Sequence, residues 1–589
     1  MVALCRMAED REAAGGRTAY AVLEETAAAH PGRPALHQPQ GGGKYRSWTW
    51  REYRDTVQHI AVGLRAIGVA KGDTVALQSE TRAEFYLADM GVMATGAVAA
   101  ALYTSLPFAD QVGTLRASDA RFVFVENAKA MYALQSAAGD APLNVQWIVL
   151  TGEVDSAMTL EQLRALGEQR LRDDPEAFAQ IRAEVRTDDP AVLYMTSGAT
   201  GEPKMGLVTH FALVSNMDMA PTALPLTPED VTIAFLPSAH IAQRVVVQLV
   251  PVRQGSAVWF SEGLSKLPAE IRAIRPTFFL APPRVWERVY STITTEIRKR
   301  PAAVRKLFYL GLGAGAEASR LRQAGKPVPA WMRTSLRFFD RVVFQKIRER
   351  LGGRIRIAAS GAAPLGKDLA DFYAAIGMPL IEGYGLTEGG VAALNPLDRP
   401  KSGSIGVLLP GVEARLADDG ELMLRSPCLF TGYYKDPEST AAVLRYGWLA
   451  TGDIAEVDSE GYWYITGRKK ELIVSSNGKK IYPSRIEVLF KREPLINQVL
   501  LIGDRMPYVT ALFTVNGSVQ ETRTAVEQAV RDVNQQLAPF EQIRRFKVLE
   551  HDFSLDRGEL TPTMKIRRSR VLQNYRAVVR EMYPGKDVD

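Results

Sequence analysis

The residues best suited to chemistry in this chain lie in glycine-punctuated turns. The first is Thr196-Ser-Gly-Ala-Thr-Gly-Glu-Pro-Lys204, set between the apolar run Ala191-Val-Leu-Tyr-Met195 and Gly206-Leu-Val-Thr-His210. Small residues let a backbone approach a ligand closely. Gly198 and Gly201 tolerate positive φ, Thr196, Ser197 and Thr200 add hydroxyls, and Lys204 adds a mobile cation. That combination suits a polyphosphate. The spacing lacks the Gly-Lys-Ser/Thr ending of a Walker A loop, so a P-loop fold is not implied, and a plain surface turn is the alternative for this stretch taken alone.

Further turns share the theme. Glu382-Gly-Tyr-Gly-Leu-Thr-Glu388 follows the apolar Met378-Pro-Leu-Ile381, so a strand end presents an aromatic plane at Tyr384, a hydroxyl at Thr387 and a carboxylate at Glu388. An aromatic ring stacks on a base, and a carboxylate holds the Mg²⁺ that accompanies ATP. The plainer reading is a helix cap at Thr387 and Glu388. Gly447-Trp-Leu-Ala-Thr-Gly-Asp453 ends on a carboxylate able to accept hydrogen bonds from vicinal ribose hydroxyls, although an Asp after Gly is also an ordinary turn residue. Gly467-Arg-Lys-Lys-Glu471 is either a solvated cationic face or a hinge, and Gly558-Glu-Leu-Thr-Pro-Thr-Met-Lys565 puts a flexible cation beyond a Pro-containing turn.

These turns must be positioned by the rest of a 589-residue chain, long enough for several domains or subdomains. From Trp48 to about Pro400 helix and strand signals alternate, as in the helical spacing from Trp48 to Gly68 and the strand Asp73-Thr-Val-Ala-Leu-Gln78. That pattern predicts layered α/β structure with mostly parallel sheets. Residues 1–43 read as a polar, mobile start. From Pro410 short strands and turns predict a small β-rich unit, and from 470 to 589 strands such as Gln498–Gly503 and Val509–Val515 mix with a helical stretch from Val519 to Leu537, predicting a small α+β domain.

Composition narrows the function classes. With 72 Lys+Arg against 66 Asp+Glu the net charge of +6 argues against a protein built to coat nucleic acid. Between 298 and 350, however, fourteen Lys/Arg face three acids, interleaved with residues such as Leu310, Trp331 and Phe338. A basic amphipathic surface suits anionic lipid, and a helical insertion packed on the core is the equal alternative. Two cysteines, Cys5 and Cys428, make no disulfide framework and fit a reducing, cytoplasmic setting. The N-terminus does not read as a secretory signal, and the most apolar window, Met90 to Leu106, is short of the ~20 residues a spanning helix needs.

In order and spacing the five glycine-punctuated turns resemble the core motifs of the adenylate-forming superfamily, from about Trp48 to Tyr575. Phe235-Leu-Pro-Ser-Ala-His-Ile-Ala-Gln-Arg-Val245, Pro276-Thr-Phe-Phe-Leu-Ala-Pro-Pro-Arg-Val-Trp-Glu287 and Leu560-Thr-Pro-Thr-Met-Lys565 are similar to its long-chain fatty acyl-CoA synthetase branch. The resemblance implies a large N-terminal adenylation domain over residues 1–469, whose β-rich subdomain spans about 400–466, and a small mobile C-terminal lid. It implies that a fatty acid and ATP give acyl-AMP and pyrophosphate, and that CoA then displaces AMP. By that resemblance Thr196, Ser197, Gly198, Thr200, Gly201 and Lys204 would hold the outer phosphates. Tyr384, flanked by Gly383 and Gly385, would stack on adenine beside the Gly361, Ala362 and Ala363 turn. Thr387 would contact the α-phosphate, Glu388 the Mg²⁺, and Asp453 and Arg468 the ribose. Lys565 would bridge the substrate carboxylate and α-phosphate, His240 would line the acyl-carboxylate site, and Lys470 would be the hinge. Trp286 corresponds to a gate of the acyl tunnel, with a buried structural tryptophan as the other reading.

Two departures stand out. Ala199 takes the place of a threonine, and Met205 takes that of a glycine, with Gly206 displaced by one position. We expect adenylation to be retained, at a rate these changes can lower. The alternatives are a fatty-acyl-AMP ligase that loads a carrier protein and a catalytically weakened acyl-binding or membrane scaffold. Contact with anionic membrane at its inner face would run through residues 298–350.

Overall fold

The computed structural model describes residues 16–196, 204–561 and 564–584. Two large sheets dominate it. In the first, eight strands run in the spatial order Gly432–Tyr433, Lys204–Thr209, Pro190–Thr196, Val98–Ala101, Thr74–Gln78, Phe122–Val125, Gln146–Val149 and Met158–Thr159. Only the pairings of Lys204–Thr209 with its two neighbours are antiparallel. In the second, nine strands run from Val407–Leu408 through Gly390–Leu394, Leu380–Leu386, Ile357–Ser360, Phe278–Ala281, Val231–Ala234 and Ala257–Phe260 to Pro34–Pro39 and Tyr45–Thr49. Its central pairs are parallel, as the alternating helix and strand pattern predicts.

Local chemistry sets the elements. Helix Trp50–Ala66 starts on a capping box in which the Thr49 hydroxyl accepts from Glu52 N–H and the Glu52 carboxylate accepts from Thr49 N–H, and beyond its end Gly68 takes a φ of 95°. Helix Ala83–Ala94 is buried at all twelve positions and touches strands of both sheets. It has no solvent face, so it is largely apolar, and its two carboxylates, Glu84 and Asp89, are met by Arg82 and Arg244. The two sheets and this helix therefore share one core.

The start of the chain corrects one expectation. Within residues 1–43, helix Ala19–Ala29 is capped by Thr18 and buries Tyr20, Val22, Leu23 and Ala27, and strand Pro34–Pro39 pairs in parallel with Ala257–Phe260. The helix is alanine-rich, so its apolar face is muted in sequence, yet five of its residues besides Thr26 are buried against the main core.

The β-rich unit consists of Glu413–Leu416, Glu421–Arg425, Leu444–Arg445, Trp448–Val457 and Trp463–Arg468, all antiparallel. Beyond it, Ile496–Ile502, Val509–Val515 and Ile543–Val548 form a separate three-stranded sheet against helix Val519–Asn534, with cores of its own. The basic stretch forms helices Ala302–Gln323 and Ala330–Phe339, a π-turn at Asp340–Phe344 and helix Gln345–Glu349. Among the described residues no helix is long and apolar enough to cross a membrane.

Candidate active site

Strand ends and turns from three units converge on one cleft. Strand Leu380–Leu386 carries Tyr384, whose hydroxyl donates to Asp453 Oδ2 at 2.6 Å, and Arg468 Nε lies 2.8 Å from Asp453 Oδ1. Asp453 and Arg468 are register partners in the pairing of Trp448–Val457 with Trp463–Arg468, which fixes their side-by-side placement. Asp453 is only 2% exposed. Each of its oxygens keeps a lone pair, so the carboxylate retains acceptor capacity while it orients an aromatic ring and a guanidinium.

Glycine geometry keeps the neighbouring turn thin. Ala362 sits at a φ of 69°, and a Cβ at Gly385 would lie 2.7 Å from the Gly390 carbonyl oxygen. Gly361 and Gly383 face each other across the same turn, with the Gly383 carbonyl 3.5 Å from where a Gly361 Cβ would be.

Glu388 accepts from the Tyr433 hydroxyl at 2.7 Å. Thr387 packs near Gly206, and Lys204 contacts Ser439 Oγ, stands 3.8 Å from Asp436 and 5.0 Å from the Tyr433 ring centre. Ser197, Gly198, Ala199, Thr200 and Gly201 lie outside the described residues. Met205 differs from expectation: its side chain is buried in the main core, and its strand position pairs with Met195. It fills core volume beside Met195. Tyr433 carries no strong motif signal; an aromatic pair after Gly432, which has a φ of 149°, is the only local cue.

Lys565 enters this cleft from the small domain. Its turn is braced by Thr561 N–H donating to the Lys565 carbonyl at 2.8 Å, by Lys565 N–H donating to Thr561 Oγ1 at 3.0 Å, and by left-handed Met564 at a φ of 63°. Lys565 as a residue is exposed, while its ammonium end is packed among Arg468, Asp453, Glu471 and Glu388. Burial and the Arg468 charge push its ammonium down to about 8, while Asp453, Glu471 and Glu388 pull it back up. His240 is pushed down to about 4 by burial and by Lys565. Ala242 N–H donates to His240 Nδ1 at 3.2 Å, which leaves a neutral imidazole with its proton on Nε2. Behind it, Arg244 pairs with Asp89 in the core, and Gln248 donates to Asp89 Oδ2 at 2.8 Å.

The junction residues are split between two units. Lys469 Nζ is 2.9 Å from Glu421 and 2.5 Å from Asp419 in the β-rich unit, while Glu471 lies 3.7 Å from Arg568 in the small domain. Lys470 lies between them, exposed.

Trp286 is at 0% exposure, donates from Nε1 to the Ala359 carbonyl at 3.1 Å and packs edge-on against Phe279 and Tyr373. The Tyr373 hydroxyl in turn donates to the Trp286 carbonyl at 2.7 Å. Two hydrogen bonds and two rings hold it in the core in this structure, the position that its reading as a buried structural tryptophan expects. Trp286→Ala is therefore expected to destabilise this region by about 3–5 kcal/mol, read as a lower denaturation midpoint. A changed acyl-chain preference with unchanged stability would restore the gate reading.

The family model described as AMP-binding enzyme matches residues 23–434, and the one described as AMP-binding enzyme C-terminal domain matches residues 470–587. The chain belongs to the AMP-binding enzyme family. Among relatives of this AMP-binding enzyme, the long-chain-fatty-acid–CoA ligase FadD15 of Mycobacterium tuberculosis is 32% identical over 574 residues, covering 93% of this chain and 94% of that one. The peroxisomal long chain acyl-CoA synthetase 7 of Arabidopsis thaliana is 30% identical, covering 92% of this chain and 82% of that one. Solved structures confirm the fold: the anthranilate CoA ligase AuaEII in complex with anthranoyl-AMP matches with a TM-score of 0.76 at 19% identity, covering 96% of this chain and 98% of that one.

Proposed function

We propose that this AMP-binding enzyme activates a long-chain fatty acid with ATP and transfers the acyl group to CoA. The observation that carries the reading is the meeting of Lys565 with Asp453, Arg468, Glu388 and His240 in one cleft. A carboxylate oxygen attacks the α-phosphorus, the bond to pyrophosphate breaks, and acyl-AMP forms. Two anions approach each other in that step, so a cation placed between them is worth most as charge builds. Lys565 supplies it. Neutral His240 adds no competing charge and offers a proton donor beside the acyl carboxylate.

Tyr384 stacks on adenine above the Gly361–Ala363 turn, Asp453 and Arg468 hold the ribose, and Thr387 meets the α-phosphate. Thr196 and Lys204 border the outer phosphates. Glu388 is a single carboxylate, which suits Mg²⁺ that arrives on ATP and takes most of its ligands from phosphates and water; among the described residues no cluster of His, Cys, Asp or Glu makes a resident metal cage. In the second step the CoA sulfur attacks the acyl carbonyl carbon, AMP leaves and the thiol proton passes to solvent. Rotation about Lys470, between side chains tied to opposite domains, exchanges the two steps. A panel of fatty acids from short to long chains tests the substrate class by thioester yield. A maximum at long chains supports the reading, and a maximum at acetate or an aromatic acid counts against it.

Peripheral contact with anionic membrane belongs to the same reading, because the substrate partitions into lipid. The inner faces of the basic helices pack on the core through Phe308, Val343, Phe344 and Ile347. Their outer faces leave Trp331 at 67%, Phe338 at 56% and Leu310 at 57% exposure. Trp331, Phe338 and Val342 follow a seven- and four-residue spacing along one helical stripe, flanked by Arg337 and Arg341. Of the fourteen cations there, Lys299, Arg320 and Arg348 are the ones in ion pairs among the described residues. Flotation with phosphatidylglycerol vesicles is expected to carry the protein at low salt, and Arg333→Glu with Arg337→Glu and Arg341→Glu to weaken binding by about fivefold per charge removed. Equal flotation with neutral vesicles, or no flotation, would remove the membrane contact from the reading.

A further inference from the structure

We propose that Lys491 and Arg492 are positioning residues that latch the small domain onto the large one in the orientation that serves acyl-adenylate formation. The inference rests on the ligase reading and extends it to residues remote from the reacting atoms. Lys491 Nζ lies 2.6 Å from Glu287 Oε1 and 3.3 Å from the Pro364 carbonyl, and Arg492 Nε pairs with Asp368. Gly366, at a φ of 55°, comes so close to the small domain that a Cβ there would stand 3.0 Å from Val488.

The receptor for this latch is placed where it can sense the nucleotide. Glu287 is the fifth residue of the helix that follows strand Phe278–Ala281, and Asp368 sits in the first turn of the helix that follows Ile357–Ser360; the two strands are parallel neighbours. Ligands in open α/β sheets bind beyond the carboxyl ends of such strands. The segment from 361 to 366 is the one that carries the Gly361–Ala363 turn. Its Leu365 N–H donates to the buried Glu382 carboxylate at 3.1 Å, and Lys491 exerts a further pull on that same carboxylate. Lys491 thus faces two carboxylates and a carbonyl at the back of the turn expected to hold adenine. Glu287 also faces Arg284, itself within reach of the Asp552 charge from the small domain.

None of these groups touches the reacting atoms, so their effect must act through domain position. If the docked orientation is held by these pairs, breaking them lowers the fraction of molecules with Lys565 in the cleft and slows only the step that uses Lys565. The step that needs the other orientation is spared.

The test is a charge swap with the two half-reactions measured apart. Lys491→Glu is expected to slow pyrophosphate release from ATP and fatty acid by about tenfold, and Arg492→Glu by about threefold, with thioester formation from supplied acyl-AMP and CoA held within about twofold of wild type. Lys491→Glu combined with Glu287→Lys is expected to restore pyrophosphate release to within about threefold of wild type. Amide hydrogen exchange over residues 364–370 is expected to quicken in Lys491→Glu and to slow again in the swapped pair. Equal loss in both half-reactions, no loss in either, or a swap that restores neither rate nor protection would overturn the latch. Absence of pyrophosphate release from the wild-type enzyme would instead count against the ligase reading, and the exchange result would then decide the latch by itself.

Discussion

Lys565→Ala is expected to slow acyl-AMP formation by a factor on the order of 10²–10³ while thioester formation from supplied acyl-AMP and CoA changes by less than about threefold. The asymmetry follows from where the cation stands. Lys565 reaches a cleft lined by Arg468, Asp453, Glu388 and His240 of the large domain and by Glu471 at the junction, from a turn of the small domain held by Thr561 and Met564. In the proposed reaction it is needed only while carboxylate and α-phosphate meet. The pH dependence carries the same signature. The protonated form is the useful one and the ammonium is pushed down to about 8, so kcat/KM for adenylation is expected to be level below that pH and to fall as pH rises through it. Bound polyphosphate favours the charged form, so the break in kcat lies at higher pH than the break in kcat/KM. Lys565→Arg keeps its charge throughout and is expected to lose the break in this range while retaining part of the rate. Equal losses in both half-reactions would place Lys565 in the scaffold.

Asp453→Ala is expected to raise the KM for ATP by about thirtyfold, equivalent to about 2 kcal/mol. The carboxylate has two partners, the Tyr384 hydroxyl and the Arg468 guanidinium. Breaking a fully buried pair costs about 3–5 kcal/mol, and a smaller value is appropriate because Arg468 is 52% exposed and water screens it. Removal also takes a compensating negative charge away from Lys565, so the break in kcat/KM is expected to move below pH 8. Asp453→Asn retains shape and one acceptor and should show the pH displacement with a milder loss of ATP affinity. An unchanged pH break together with unchanged ATP affinity would contradict the placement of Asp453 beside the ribose and the lysine.

The legible parts of the fold are those in which local signals and tertiary demands agree. Helix Trp50–Ala66 has apolar periodicity, a capping box and a terminal glycine, and strand Val509–Val515 is read with its observed bounds. The start of the chain is read wrongly because alanines in Ala19–Ala29 carry little periodic contrast, and because Pro34–Pro39 becomes a sheet strand between its hairpin partner Tyr45–Thr49 and Ala257–Phe260, more than two hundred residues away. Among site residues, Tyr384, Glu388, Asp453, Arg468 and Lys565 are marked by turns whose chemistry shows in sequence. Their mutual approach is not, since the Tyr384 to Asp453 bond joins two sheets and Lys565 arrives from another domain. Side-chain direction is also hidden. Met205 reads as an intrusion on the phosphate loop and turns inward to the core, while Trp286 reads equally as a gate or as a buried structural residue and is held here by Ala359 and Tyr373. Lys491 and Glu287 belong to different domains, so no local pattern links them.

The most direct test follows the products of one enzyme preparation with palmitate, ATP and Mg²⁺, first without CoA and then with it. Without CoA the account predicts about one pyrophosphate per active site, with acyl-AMP retained and little free AMP. Addition of CoA is predicted to release AMP and palmitoyl-CoA in equal amounts and to start steady turnover. Pyrophosphate release followed by no thioester would contradict CoA as the acceptor, and no pyrophosphate release would contradict adenylation itself.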